Sequence, residues 1–163
     1  MKMIQGNAKN QGESFPIAIV VSLFNEAITQ ALLQGALDRL HETGFKEQDI
    51  LVVKVPGAVE IPLVAQTLAE KHQYHAIIAL GAVIRGETTH YDYVCQQVSH
   101  GCQQVTLQSK IPVVFGVLTT ENEEQAWDRL GGAHGHKGKD AIDCAVAMVS
   151  IMQQLEQGER GFV

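Results

Sequence analysis

The sequence predicts one α/β domain, a three-layer α/β/α sandwich around a four-stranded parallel sheet. Two observations carry this. Apolar, β-branched runs without polar alternation (Phe15 to Ser22, Asp49 to Val55, His75 to Ile84, Pro112 to Thr119) take turns with segments of helical periodicity. Strands that read as continuous apolar runs are covered on both faces, and repeated strand–helix alternation provides the cover. At 163 residues, 45% of them hydrophobic, the chain is long enough for one real core.

Residues 1–14 are polar and turn-rich and form an N-terminal arm; the domain spans 15–157, and 158–163 is a C-terminal tail. After the first strand, Asn25 is placed to cap a helix carrying Ile28, Leu32, Leu33, Ala36, Leu37 and Leu40, with Gly44 past its end. Pro56-Gly57 stops the second strand, and a helix follows from about Glu60, with Pro62 tolerated in its first turn. The third helix sets Tyr91, Val94, Cys95, Val98, Cys102 and Val105 at three- and four-residue spacings. Thr120-Glu121-Asn122-Glu123 has the form of a capping box, opening a helix expected to run through Trp127 and Leu130. A loop from Gly131 to Lys139 precedes a last helix, about Asp140 to Glu156, that is apolar on most of its circumference. Its surplus apolar surface suggests a subunit interface.

Composition removes several functions. A net charge of −6 without a basic run argues against nucleic acid. There is no secretory h-region and no membrane-length apolar run, so a soluble cytoplasmic protein with no membrane role is expected. Three cysteines do not make a disulfide framework, and Cys95 and Cys102 read as packed free thiols. His134 and His136 have no cysteine or carboxylate at short zinc spacings, so no metal is expected. Gly86 lacks the partner glycines of a Walker loop or dinucleotide fingerprint.

In open α/β sheets ligands bind outside the carboxyl ends of the strands. That rule gathers Phe24-Asn25, Gly57 to Glu60, Ala82 to His90 and Thr119-Thr120 on one rim. The turn at Gly86-Glu87-Thr88-Thr89, where a buried strand gives way to a helix, offers backbone N–H groups and a helix dipole to an anion. His90 could move a proton beside it. Each residue has a plainer reading as well. Arg129, at the end of the capped helix and off this rim, reads as a solvated charge; on the rim, Phe24 could be a helix-start staple, Glu60 a carboxylate answering the dipole, Thr88 or Thr89 a cap and His90 a surface histidine. Their convergence on one edge favours a site.

Phe24-Asn25, the run from Val55 to Pro62, the run from Gly81 to Val94, the run from Phe115 to Asn122 and Lys137-Gly138 resemble the 6,7-dimethyl-8-ribityllumazine synthases, in register over nearly the whole chain. The resemblance implies a flavodoxin-like fold and a cofactor-free condensation of 5-amino-6-(D-ribitylamino)uracil with 3,4-dihydroxy-2-butanone 4-phosphate, the penultimate step of riboflavin biosynthesis. It implies that Phe24 stacks on the pyrimidine and that Ala58, Val59 and Glu60 bind the ribityl chain. Ala82, Val83 and Ile84 would hold the pyrimidine edge, Gly86, Glu87 and Thr88 the phosphate, and His90 would transfer protons. Phe115, Arg129 and Lys137 would reach the site from an adjacent subunit, with Arg129 on the phosphate and Asp140 nearby.

The family also implies a homopentamer, with an icosahedral shell of pentamers open to a chain lacking an insertion in the Gly131 to Lys137 loop, and riboflavin synthase as a candidate partner. The chain departs from the family pattern at Leu23, in place of an arginine, at Glu87, in place of a small residue, and at His134 and His136. The Glu87 side chain is expected to face solvent. The rival function is a non-catalytic flavin- or lumazine-binding module of the same fold. A response-regulator-like domain is discarded because Ser22-Leu23-Phe24 stands where its acidic pair would be.

Overall fold

The computed structural model describes residues 1–7 and 13–160, the side chains of 159 and 160 excepted. Four parallel strands, β1 (Ile17–Ser22), β2 (Ile50–Val55), β3 (Ala76–Ile84) and β4 (Val113–Thr120), lie in the order β2-β1-β3-β4. Helices α1 (Glu26–Glu42) and α5 (Lys137–Arg160) cover one face; α2 (Ile61–Glu70) and α3 (His90–Ser109) cover the other. The predicted three-layer sandwich is the observed architecture.

Strand alternation divides the core in two. Ile17, Ile19, Val21, Ile78 and Leu80 pack with Leu32, Ala36, Leu40, Ile142 and Val149 under α1 and α5. Ala18, Val20, Ile77 and Ala79 meet Ile61, Ala65, Val98 and Val105 under α2 and α3. Each fully buried Ile, Leu or Val stabilises the fold by about 1.5–3 kcal/mol. This is why β1, buried along its whole length, contains no polar residue before Ser22. Gly44, in the left-handed region at φ 87°, follows α1 as expected.

Between β4 and α5 the chain departs from expectation. Thr120 is still in β4, its hydroxyl donating to the Asn122 carbonyl. The cap is Asn122, whose side chain accepts from the Gln125 N–H. The short helix α4 (Glu123–Trp127) stops before Leu130, because Leu130 begins a small antiparallel hairpin of β5 (Leu130–Gly132) and β6 (Gly135–His136). Helix α5 therefore starts at Lys137, not Asp140, and runs to Arg160, so the first residues of the expected tail are helical; 161–163 lie outside the described residues.

Part of the surplus apolar surface of α5 is met within the chain. The arm lies along it, with Gly6 against the Ala147 carbonyl and Gln154 Nε2 donating to the Gln5 carbonyl. Residues 8–12 of the arm lie outside the described residues. Among the described residues, no helix is long and apolar enough to cross a membrane.

Candidate functional site

The strand order reverses direction between β1 and β3, and their carboxyl ends flank a cleft of about 420 Å³. Crevices of this kind, at the switch point of an open α/β sheet, are where ligands bind. The cleft is lined by the predicted Phe24, Ala58, Val59, Ala82, Val83, Ile84, Gly86, Thr88 and His90. Asn25, Gly57, Tyr91 and Val94 complete it.

The chain is strapped around this cleft by backbone bonds. Leu23 N–H donates to the Val55 carbonyl at 2.8 Å, and Phe24 N–H to the Pro56 carbonyl at 3.0 Å. The Phe24 ring is left 72% exposed, so it is not a staple packed on its own helix. It stands free to take a flat ligand. Gly81 lets the strands approach closely here: a Cβ on it would sit 2.8 Å from Ser22 Oγ, an oxygen buried without a hydrogen-bond partner among the described residues.

On the opposite wall, Arg85 N–H donates to the Thr120 carbonyl and fixes the root of the polar turn. The Arg85 side chain pairs with Glu121 and Asp92 and covers the Tyr91 ring at 4.3 Å, which ties the turn to β4 and to the first turn of α3. The bond to Glu121 holds its guanidinium above the usual arginine range. Beyond it, the Gly86, Glu87 and Thr88 N–H groups donate to no acceptor among the described residues. Free donors just before a twenty-residue helix are a feature that suits an anion. His90, exposed at the first position of α3, accompanies them, its N–H donating to Thr88 Oγ1 at 3.3 Å. Burial, with the neighbouring Cys95 thiol adding, pushes the Tyr91 phenol above its ordinary range.

Two predicted residues lie outside the cleft lining. Glu87 is exposed and not part of the wall. Glu60 is half-buried: one carboxylate oxygen would lie 3.5 Å from a Cβ on Gly57, while the other is buried with no hydrogen-bond partner among the described residues. An unpartnered carboxylate oxygen is costly in the folded chain alone and suits a ligand hydroxyl.

The remaining predicted residues assemble elsewhere. Phe115, Arg129, Lys137 and Asp140 line a second cleft of about 440 Å³ between the edge strand β4 and the start of α5, together with Thr119 and Cys144. No lining residue is common to the two clefts. Arg129 donates to the Gln125 carbonyl, and Lys137 pairs with Asp140 at 3.5 Å, so both cations are held at the cleft wall. Within one chain, then, the exposed Phe24 ring, Gly86, Thr88 and His90 line one cleft, and Arg129 and Lys137 line another. Thr119, expected on the rim with the first cleft, lines the second, and Tyr91, expected only as a packed position of the third helix, lines the first; its place one residue past His90 was the available signal.

A protein-family model described as 6,7-dimethyl-8-ribityllumazine synthase matches residues 14–153. The chain is 57% identical over 143 residues to the 6,7-dimethyl-8-ribityllumazine synthase of Coxiella burnetii strain CbuG_Q212, covering 88% of this chain and 95% of the relative. The same identity and coverage hold for the protein of that name from the RSA 493 / Nine Mile phase I strain.

Proposed function

The chain belongs to the 6,7-dimethyl-8-ribityllumazine synthase family, and from that premise we propose how its two clefts divide the family's reaction. It is a transferase of riboflavin biosynthesis. It condenses 5-amino-6-(D-ribitylamino)uracil with 3,4-dihydroxy-2-butanone 4-phosphate to 6,7-dimethyl-8-ribityllumazine, releasing phosphate and water.

In our reading the first cleft binds the pyrimidine. Phe24 stacks on its ring, Ala82, Val83 and Ile84 meet its edge through backbone groups, and Ala58, Val59 and Glu60 take the ribityl chain. The free N–H groups of Gly86, Glu87 and Thr88 receive the phosphate of the second substrate. The second cleft of a neighbouring subunit closes the site, bringing Arg129 to that phosphate, Phe115 over the substrates, and Lys137 and Asp140 to the rim.

The chemistry follows from this arrangement. The pyrimidine amine attacks the butanone carbonyl and water leaves, giving an imine. Phosphate is then eliminated, its negative charge met by N–H donors and Arg129, and ring closure with loss of a second water forms the lumazine. His90, next to the anion seat, carries protons between these steps. Holding both substrates in one closed space supplies much of the acceleration.

The observation that carries this reading is the separation of the two sets of residues in a single chain. Each half lacks what the other has. An exposed edge strand with Phe115 43% exposed, and Leu155 48% exposed on α5, support association with further copies. A homopentamer is the assembly we propose, with an icosahedral shell as its extension and riboflavin synthase as the partner receiving the product. Three free thiols suit the cytoplasm.

The test is direct: mix the purified protein with both substrates and follow lumazine absorbance and released phosphate. No turnover above the uncatalysed rate refutes the assignment. The rival, a non-catalytic lumazine- or flavin-binding module, is separated by His90→Ala. We expect lumazine formation to fall by about 10²–10⁴-fold with ligand binding retained; an unchanged rate removes His90 from its role.

A further inference from the structure

Asn25 occupies the N-cap of α1, yet its side chain makes no capping bond there. It sits in the left-handed region, at φ 58° and ψ 51°, a conformation that most side chains avoid and that asparagine tolerates. Its amide turns the other way. Nδ2 donates to the Ala82 carbonyl at 3.0 Å, across 57 residues of sequence.

That acceptor lies at a particular place in the sheet. The β1–β3 ladder ends at the pair Val21↔Leu80, while β3 continues to Ile84. Ala82 therefore lies past the last strand partner on the β1 side, at the switch point, and a carbonyl there would be left without its ladder donor. The Asn25 amide takes the place of the missing strand. It does so from the residue next to Phe24, whose own N–H is tied to Pro56 on the β2 side. Phe24-Asn25 is thus clamped between the β2 and β3 rims, and both residues line the cleft.

We propose that Asn25 is a positioning residue. By holding the Ala82 carbonyl, it fixes the tip of β3 relative to the Phe24 ring and so sets the slot into which a flat, hydrogen-bonding heterocycle fits. This rests on the reading above, in which the pyrimidine substrate lies between Phe24 and the Ala82 to Ile84 edge. The anion seat is not part of the clamp: Gly86, Glu87 and Thr88 are rooted through Arg85 to β4 and α3 instead. Asn25 accordingly acts on ring binding and not on phosphate binding.

Two substitutions separate the side-chain bond from backbone conformation. Asn25→Asp keeps the shape, the left-handed tolerance and a good N-cap, but sets a carboxylate against a carbonyl oxygen. Asn25→Gly keeps the left-handed backbone at no cost and removes the donor. The full-length oligomer of each is titrated with 5-amino-6-(D-ribitylamino)uracil alone and, separately, with inorganic phosphate, and KM for each substrate is measured. We expect Asn25→Gly to weaken pyrimidine binding about three- to tenfold, the size of one neutral hydrogen bond, and Asn25→Asp to weaken it at least as much. Phosphate affinity and the KM for the butanone phosphate stay within about twofold in both, since neither depends on that bond.

Wild-type pyrimidine affinity in Asn25→Asp would mean that the bond to Ala82 positions nothing, and wild-type affinity in Asn25→Gly that only the backbone of residue 25 matters. Either overturns the proposal alone, as does a parallel loss of phosphate binding. Failure of the wild-type protein to bind the pyrimidine would overturn the functional reading and the proposal together.

Discussion

Phe24→Ala tests whether the exposed ring belongs to the ligand or to the fold. Fully burying a phenylalanine contributes about 1.5–3 kcal/mol. The Phe24 side chain, at 72% exposure, gives up only the remainder to folding. Loss of the ring should therefore cost the fold less than about 1 kcal/mol, and lower Tm by no more than about 2–4 °C for a chain of this length. Stacking of a base on an aromatic ring is worth about 1–3 kcal/mol by alanine substitution. At about 1.4 kcal/mol per factor of ten, the KM for the ribitylaminouracil should rise about 5- to 150-fold. The KM for the butanone phosphate should hardly move. Steady-state kinetics with each substrate varied in turn, beside a thermal melt, provide the measurement. A large drop in Tm, or an equal rise in both KM values, would show that Phe24 supports the fold and would refute the stacking role.

Other perturbations follow from the same geometry. Arg129→Gln removes a charge-assisted hydrogen bond worth about 1.5–3 kcal/mol, so the KM for the butanone phosphate should rise by at least about tenfold with the pyrimidine KM little changed, as read by the same kinetics. Gly138→Ala should destabilise the protein by about 1–3 kcal/mol, because a Cβ there would lie 2.2 Å from the Leu32 carbonyl oxygen, a backbone atom that cannot turn aside; denaturant melts would register it. Burial pushes the Cys102 thiol up to about 11, so the folded chain keeps a proton that the unfolded chain releases from about pH 9. Stability from this group is intact below that pH and declines as the pH climbs toward 11. Denaturation midpoints of wild type and Cys102→Ala, compared between pH 8 and 10.5, should show a shallower fall in the variant.

The strands and the parallel sheet were legible because unbroken β-branched runs have few other uses in a chain of this size. The α1 stripe was equally plain, since Ile28, Leu32, Ala36 and Leu40 recur at helical spacing and all are buried. The hairpin from Leu130 to His136 was not. It contains no β-branched residue, and its course depends on left-handed glycines at 131 and 135. The start of α5 was hidden by Gly138, a poor helix former retained where α5 crosses close to α1. Thr120-Glu121-Asn122-Glu123 offered two caps, and the sheet claimed the threonine.

The first cleft could be assembled from topology, because its wall residues come from the carboxyl ends of β1, β2 and β3 and the segments that follow them. The second could not: Phe115, Arg129, Lys137 and Asp140 came from family resemblance, being scattered over a strand, a loop and a helix start. Asn25 looked like a cap since its true partner, Ala82, is visible only in three dimensions.

The central claim is that one working site needs the first cleft of one subunit and the second cleft of its neighbour. Co-expressing His90→Ala and Arg129→Ala chains under different affinity tags, and assaying the doubly tagged oligomers, tests it most directly. Each variant alone lacks one half of every site. In mixed oligomers, random neighbours should restore roughly a quarter of the sites, since a heterologous ring pairs each first cleft with another chain's second cleft. Lumazine formation at about that fraction of the wild-type rate is the predicted result. Mixed oligomers no more active than either parent would contradict the shared site.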